Sequence, residues 1–559
     1  MENYEIADQF SLLAKLMDVH GENSFKSKSY SIAAFNIEKI EIPIRDIPRE
    51  KLFSFKGIGE STGKKIIEIL DTGELSALKT MIQKTPPGIL EMMNIKGIGP
   101  KKINVIWKQL EIESLGELLY ACNENRLLLY KGFGEKTQTN ISQAIEFYMN
   151  NQGSYLFSQI EKYALQMDEA LKKEFKSYQI QLTGLIRRQM ETIDLLEWCT
   201  TAPSLSVKDF FSSNNFELMQ ESEDHLLFKG VENVEIKIHL TGDAHFFQQV
   251  FSSSCSQSFF EEWNKDFPLN NKTYESEESI FQQAGVEFIP AYLREEPEII
   301  NIAKNKLLPI PLNVKEVRGL IHSHSNWSDG VHTIEEMANE LIKRNFEYLV
   351  ISDHSKSAFY AKGLTHERII AQHQYIDELN ARLAPFKIFK SIECDILNDG
   401  SLDYTNDILA TFDLVIASVH SNLKMTEEKA MARLIKAIEN PYVIILGHMT
   451  GRLLLSRNGY PVDHKKIIDA CAANHVAIEL NAHPRRLDMD WRWIRYALEK
   501  NVLISIDPDA HDLEGFDDIR YGVLSAQKAG LTKENNLSSF SLTQFESYLT
   551  ETRKRKRIN

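Results

Sequence analysis

Cysteine is scarce in this 559-residue chain: Cys122, Cys199, Cys255, Cys394 and Cys471 stand far apart, and no two have the spacing of a zinc-ligand pair. That scatter excludes a disulfide framework and a cysteine-built zinc finger. No apolar run approaches the roughly 18 residues a spanning helix needs. The start, MENYEIADQF, lacks the basic-then-apolar pattern of a secretion signal, so a cytoplasmic protein with no membrane partner is expected. Low-complexity tracts are missing too: 26 Gly, 16 Pro, 43% hydrophobic and 26% charged residues exclude collagen-like and disordered classes. At this length a single core is excluded as well, and several domains are expected.

Basic charge is deficient overall, with a net charge of −15, but unevenly so. Residues 1–150 carry 19 basic and 20 acidic side chains, residues 151–300 carry 12 and 25, and residues 301–559 carry 33 and 34. The middle segment would repel a phosphate backbone, so any DNA contact belongs to the ends of the chain. The terminal run Arg553, Lys554, Arg555, Lys556, Arg557 reads either as a phosphate-binding tail or as a solvated end.

The first 150 residues read as short helices with one pattern three times: Phe55-Lys56-Gly57-Ile58-Gly59, Ile95-Lys96-Gly97-Ile98-Gly99 and Tyr130-Lys131-Gly132-Phe133-Gly134. Glycines in such a turn let the backbone approach a ligand, and the free N–H groups of the helix it opens attract an anion. Lys64-Lys65 and Lys101-Lys102 follow the first two turns. The repeat resembles the helix-hairpin-helix motif of DNA-binding proteins that do not read sequence. With Phe25-Lys26 and Ser29-Tyr30-Ser31-Ile32-Ala33-Ala34 ahead of it, the region is similar to the amino-terminal domain of family X DNA polymerases, which grips the 5′-phosphate of a gap. That resemblance implies a phosphate pocket lined by Lys26, Tyr30 and Lys64, and makes Lys65 the candidate Schiff-base lysine of a deoxyribose-phosphate lyase.

Residues 151–300 continue the resemblance. Gly184-Leu185-Ile186-Arg187-Arg188 stands where these enzymes carry Gly-Ser-x-Arg-Arg, and Leu240-Thr241-Gly242-Asp243 and Ile289-Pro290-Ala291-Tyr292 match further segments. Two-metal nucleotidyl transfer needs carboxylates on adjacent strands, an Asp-x-Asp pair and a third acid in this family. Here Asp194-Leu195-Leu196 follows Thr192-Ile193, and the third position is Glu235. The expected serine is Leu185. Arg187, Arg188, Asp194 and Glu235 therefore mark a degenerate polymerase site with Mg²⁺ binding doubtful, unless an alignment shifted by two residues brings in Glu197.

From residue 315, β-branched runs alternate with helical stretches, as in parallel βα units. Seven strands are expected at 317–321, 348–352, 387–392, 414–419, 443–446, 476–480 and 502–506. Six are followed by potential metal ligands: His322, His324 and Asp329; His354; Glu393; His420; His448; Asp509 and His511. In a barrel of such units the C-terminal strand ends converge on one mouth. Imidazoles and carboxylates suit Zn²⁺, Mn²⁺ or Fe²⁺.

The set resembles the PHP domain, named for polymerase and histidinol phosphatase, over about residues 315–535. The resemblance implies three divalent ions: one held by His322, His324, Glu393 and Asp509, one by Glu393, His420 and His448, one by Asp329, His354 and His511. His483 and Asp507 fall outside that pattern, as candidates for orienting the ligands. Arg452, and with it Lys356, is a candidate for gripping a phosphate oxygen, with a surface ion pair as the alternative; Trp327 or Tyr360 is a candidate for stacking on a terminal base.

The whole chain thus resembles a bacterial family X DNA polymerase with a C-terminal PHP domain. The implied architecture is a 5′-phosphate-binding helical domain at 1–85, a fingers-like helix-hairpin-helix region at 86–150, a degenerate α+β palm and thumb at 151–300, a distorted (βα)₇ barrel at 315–535, and a helix with a basic tail at 536–559. The implied function is DNA repair: a metal-dependent phosphodiesterase at DNA ends or abasic sites, foremost a 3′→5′ exonuclease, with polymerase activity weak or lost. Its partners would be gapped, nicked or abasic duplex and 3′ ends, met by a monomer associated with the bacterial nucleoid. A gap-filling polymerase with an editing barrel, a histidinol-phosphatase-like enzyme and a non-catalytic DNA-end scaffold are the alternatives.

Overall fold

A computed structural model describes residues 3–40, 42–55, 57–95, 97–149, 153–230, 233–269 and 272–556. The chain divides into two compact units, Met1–Asn123 with Leu127–Met149, and Glu124–Arg126 with Asn150–Asn559.

The first unit is all-helical and holds two apolar clusters, one around Ile6, Phe10, Ala33 and Ile66, the other around Ile89, Ile103, Leu118 and Ile141. In each of the three hairpins the apolar residue of the turn is buried, Ile58, Ile98 and Phe133 at 2%, 5% and 2% exposure. That anchor pins the turn while the glycines on either side stay exposed. The leading glycines have φ of +84°, +94° and +98° at Gly57, Gly97 and Gly132, a conformation costly for any residue with a Cβ. The trailing glycines Gly59 and Gly99 cap the helices Glu60–Thr72 and Pro100–Lys108 without any side-chain bond, and Gly134 precedes Glu135–Met149. Nothing lies within 4 Å of where a Cβ would stand on Gly59, Gly97, Gly99, Gly132 or Gly134. Lys56 and Lys96 lie outside the described residues.

The second unit begins with a five-stranded sheet of order β2-β4-β7-β6-β5: β2 (Ile180–Thr183), β4 (Leu195–Thr200), β7 (Glu235–Leu240), β6 (His225–Lys229) and β5 (Glu217–Glu221). β1 (Tyr155–Leu156) and β3 (Thr192–Ile193) form a separate antiparallel pair. Helices between Phe246 and Lys304 follow, packed on Phe251, Phe259, Trp263 and Phe281. In this layer the fully buried Arg294 is neutralised by Glu277 at 2.5 Å.

Seven parallel strands then make the barrel in sequence order: β8 (Gly319–Ser323), β9 (Tyr348–Ile351), β10 (Lys387–Asp395), β11 (Leu414–Ser418), β12 (Val443–Leu446), β13 (Ala477–Asn481) and β14 (Ile504–Asp507). They are buried along their whole length apart from Lys387 and Lys390 on β10, as strands covered on both faces must be. A bridge from Ser323 to Ala510, with His324 N–H donating to Ala510 O at 2.9 Å, joins the first strand end to the last. The helix Leu542–Arg555 plugs the opposite end of the barrel, stacking Phe545 on Tyr348 at 4.6 Å. This corrects the reading of the terminal run as a phosphate-binding tail: Arg553 donates to Phe412 O and Ala410 O, Lys556 to Val443 O, and Lys554 and Arg555 end the plug. Arg557 lies outside the described residues. No described helix is long and apolar enough to cross a membrane.

Candidate metal centre

β8 does not stop before its histidines. A register shift against β9 between Leu320 and Ser323 puts His322 on the strand with φ +56°, and Asp509 after β14 has φ +53°. Left-handed backbone costs a side-chain-bearing residue roughly 1–2 kcal/mol, and the surrounding sheet enforces it at both positions. The reward is convergence on Glu393, fully buried on β10. Its Oε1 lies 3.0 Å from His448 Nε2, 3.1 Å from His420 Nε2 and 3.3 Å from His322 Nε2. Its Oε2 lies 2.9 Å from His354 Nδ1 and 3.7 Å from His324 Nε2. Asp509 Oδ1 stands 3.0 Å from His324 Nε2, and Asp329 Oδ2 stands 3.5 and 3.6 Å from His354 and His511 Nε2. All nine sequence-derived candidates meet at one mouth.

Three overlapping ligand groups result: His322, His324, Glu393 and Asp509; His324, Asp329, His354 and His511; and His354, Glu393 and His420. The first has the composition expected from the sequence. The other two differ, since His324 joins Asp329, and His354 rather than His448 completes the set around His420. Buried His322 Nε2, His324 Nδ1, His511 Nε2, Asp329 Oδ2 and Glu393 Oε2 meet one another or neighbouring ring nitrogens and carboxylates only in ion-pair contacts, without an aligned hydrogen bond. A buried polar atom left so is costly unless something binds it, and this donor set fits divalent cations.

Electrostatics agree. Burial pushes the imidazole of His322 down, but the facing Glu479, Asp509 and Glu393 carboxylates outweigh it and hold its pKa well above the usual value. Burial opposes the charged form of Glu393 as well, yet His420, His322 and His354 bring it well below the carboxylate range. His511 rises to about 9 against its own burial, chiefly through Asp329.

Sequence reasoning missed the acids that aim the rings. Glu479 on β13 accepts from His322 Nδ1 at 2.5 Å and from His448 N–H at 3.1 Å. Asp395 faces His420 Nδ1 at 2.5 Å and accepts from Ser357 Oγ at 2.6 Å. Asp353 gathers Ser325, Ser328 and Gln372, fixing the turn that presents Asp329. The one available signal was proximity, because Asp353 and Asp395 each adjoin a ligand or sit two residues from one. Of the two orienting candidates, His483 accepts Arg485 N–H at 3.2 Å and joins no ligand group. Asp507 is bonded by Ser505 at 2.6 Å, and burial beside Glu479 raises its pKa well above the usual value.

Arg452 needs correction. Its guanidinium pairs with Glu191 at 2.7 Å and Asp490 at 2.8 Å and donates to Arg486 O and Leu487 O, so it ties the β1–β3 layer to the barrel instead of facing the cluster. The arginine that does face it is Arg486, 5% exposed, with Nε 3.9 Å from Asp509 Oδ2. Lys356 is exposed, with Nζ 5.5 Å from the Tyr404 ring. Trp327 is half-buried against the barrel core, and the Tyr360 side chain lies outside what the structure describes.

The polymerase-like sheet does not assemble metal ligands. Its register pairs Leu195 with Glu235 and Glu197 with Lys237, so Glu197, not Asp194, shares the Glu235 face. Asp194 is exposed between β3 and β4, which corrects its assignment. Glu197 is held by His239 at 3.0 Å, an apolar Leu195 stands opposite Glu235, and Lys237 adds a cation. Arg187 forms a bidentate pair with Glu277 and Arg188 with Glu295, so neither is available to a nucleotide phosphate. These residues do not fit Mg²⁺, and among the described residues every potential ligand group lies in the barrel.

In the helical unit Tyr30, expected in a phosphate pocket, is 4% exposed and packs on Phe10. Lys26 is exposed, Lys64 pairs with Glu60 at 2.7 Å, Lys65 is half-buried, and Lys101 is exposed beside the half-buried Lys102.

Comparison with known proteins matches residues 1–75 to the family described as a helix-hairpin-helix domain and residues 89–146 to the SAM-like helix-hairpin-helix tandem. The chain is 30% identical over 570 residues to the DNA polymerase/3′-5′ exonuclease PolX of Bacillus subtilis, covering 98% of this chain and 99% of that protein. It is also 27% identical over 249 residues, 42% of this chain and 95% of the relative, to a probable phosphatase of a Thermoanaerobacter species. A probable phosphatase of Shewanella frigidimarina is 32% identical over 170 residues, 29% of this chain and 62% of the relative.

Proposed function

This chain belongs to the PolX family of DNA polymerase/3′-5′ exonucleases, and from that premise we propose that its working centre is the barrel: a metal-dependent phosphodiesterase that removes nucleotides from the 3′ ends of DNA. The carrying observation is the Glu393 carboxylate, fully buried and faced by the imidazoles of His322, His354, His420 and His448. Three divalent ions, Zn²⁺, Mn²⁺ or Fe²⁺, would be held by the three ligand groups. Such ions supply Lewis-acid stabilisation of charge developing on phosphate oxygens and acidify water. The chain's residues do the rest. Glu479 and Asp395 fix ring orientation through Nδ1 so that Nε2 faces the centre. Arg486, in place of Arg452, is the cation placed to hold a phosphate oxygen.

The exposed glycine turns and the helices they open would grip the DNA backbone on gapped, nicked or abasic duplex, with Lys101 and Lys102 adding charge. Lys65 is proposed for a lyase step, tested by borohydride trapping of a protein–DNA adduct that disappears in Lys65→Ala. Nucleotide addition is weak or lost because the palm residues do not fit Mg²⁺. The role is DNA repair by a monomer in the bacterial cytoplasm, on nucleoid DNA. The test is a 5′-labelled primer on a gapped duplex with Mn²⁺, with and without dNTPs. Wild type shortens the primer and Glu393→Gln does not; extension, or no shortening with any of the three metals, overturns the reading.

A further inference from the structure

At the end of the barrel away from the metal centre lies a cavity of about 480 Å³, within the roughly 300–1,000 Å³ range of small-molecule sites. One wall is a single stripe of the plugging helix: Gln544, Ser547, Tyr548, Glu551 and Arg555 recur at helical spacing, while Phe545 and Leu549 turn into the barrel. The other wall is Asn501 and His475, with the strand starts behind them, Ala477 on β13 and Leu503 ahead of β14. Phe540 and Tyr548 both line the cavity and meet edge to face at 6.1 Å, an arrangement that leaves ring faces uncovered by the pair. The amides beside them are unspent. The Gln544 carbonyl accepts Ser541 N–H at 2.9 Å and its N–H groups stay free, and the Asn501 side chain makes no hydrogen bond among the described residues. Arg555 ends the stripe with its side chain 59% exposed, paired with Glu551 at 3.4 Å. An exposed pair of that kind is worth little, so a dianionic partner displaces it.

We propose that this cavity is a second site, separate from the metal centre, that takes a free mononucleotide, adenine foremost: the base against Phe540 and Tyr548, its edge met by Asn501 and Gln544, the phosphate on Arg555. Amide side chains are the partners that match the adenine edge, offering an acceptor and a donor together. A nucleic-acid strand is the poorer occupant, because it needs a row of cations and meets Glu551 on the same stripe. The site also lies on the strand that serves the centre. Ala477 lines the cavity, and two residues along β13 stands Glu479, the acid that aims His322. Nucleotide is what hydrolysis at the mouth would release, but binding here does not rest on that hydrolysis.

The test is equilibrium dialysis of the full-length protein with radiolabelled dAMP in EDTA, so that no cation recruits phosphate to the barrel mouth. Adenosine, inorganic phosphate and the other three deoxynucleoside monophosphates serve as competitors. Expected is saturable binding of one dAMP per chain, displaced far better by nucleotides than by adenosine or phosphate. Arg555→Ala should weaken dAMP about tenfold and leave adenosine unchanged. Ser547→Trp, which fills the cavity from an exposed helix position, should abolish binding while melting at the wild-type temperature, and Glu393→Gln at the metal centre should bind as wild type does. Photolysis of bound 8-azido-dAMP should label peptides within 475–503 or 540–555. No saturable binding of any of the four nucleotides at millimolar concentration overturns the site. So does binding that survives Ser547→Trp or is lost in Glu393→Gln. Phosphate competing as well as dAMP overturns the nucleotide assignment.

Discussion

Glu479 shows what one side chain does for this centre. It touches two ligand-bearing residues at once, the His322 ring and the His448 backbone, and it has no surface of its own. Glu479→Gln keeps the shape but loses the charge that fixes the His322 proton, and outer partners of this kind typically matter 10–100-fold in metal affinity. The expected loss in Zn²⁺ affinity is of that order, read by competition with a chromogenic chelator. Asp518 offers a pH-dependent counterpart away from the cluster. Burial, then Asp512 and Asp517, raises its pKa to about 8 from an ordinary 3.8. The folded state therefore holds a proton that the unfolded chain releases, and the stability tied to that proton is full below about pH 4 and lost as pH rises to about 8. Asp518→Asn should melt higher than wild type at pH 8, with the difference vanishing near pH 4, as thermal scans across that range would reveal.

At the scale of elements, the hairpins and the palm make contrasting predictions. Gly97 holds φ +94° in a turn whose backbone is open to solvent. Gly97→Ala should cost about 1–2 kcal/mol locally and weaken duplex binding in anisotropy titrations. Lys101→Ala, with no such strain, should reduce the slope of log affinity against log salt by about 1. The hairpins were legible because each repeats a local chemistry, Gly-apolar-Gly. The palm was not, because register decides it: a slip of one residue turns every side chain to the other face, and only the pairing of Leu195 with Glu235 shows that Asp194 has no part in that face.

Between the barrel and the layers docked on it run ion pairs. Arg452 joins Glu191 to Asp490 and Lys528 reaches Glu295 at 3.2 Å and Arg188 O at 2.7 Å, all largely buried, while Arg520 pairs with Glu161 at the surface. Arg452→Gln strands a buried carboxylate, an event that costs about 3–5 kcal/mol. Chemical denaturation should show that loss while bound metal, counted by emission spectrometry, stays at the wild-type level. A phosphate-gripping Arg452 would have given the reverse, unchanged stability with raised KM.

Sequence alone determined the helical hairpins, the seven strands to within a few residues and the nine side chains that gather at the barrel mouth, because each is written in local pattern: a repeated turn, a β-branched run, a histidine or acid at a strand end. Tertiary structure decided which of those side chains lie within reach of one another, which acids aim them, and that Arg452, Tyr30 and the basic C-terminal helix make packing and pairing contacts. Those outcomes depend on which distant segments become neighbours, and burial there makes every charge find a partner that no reading along the chain can name.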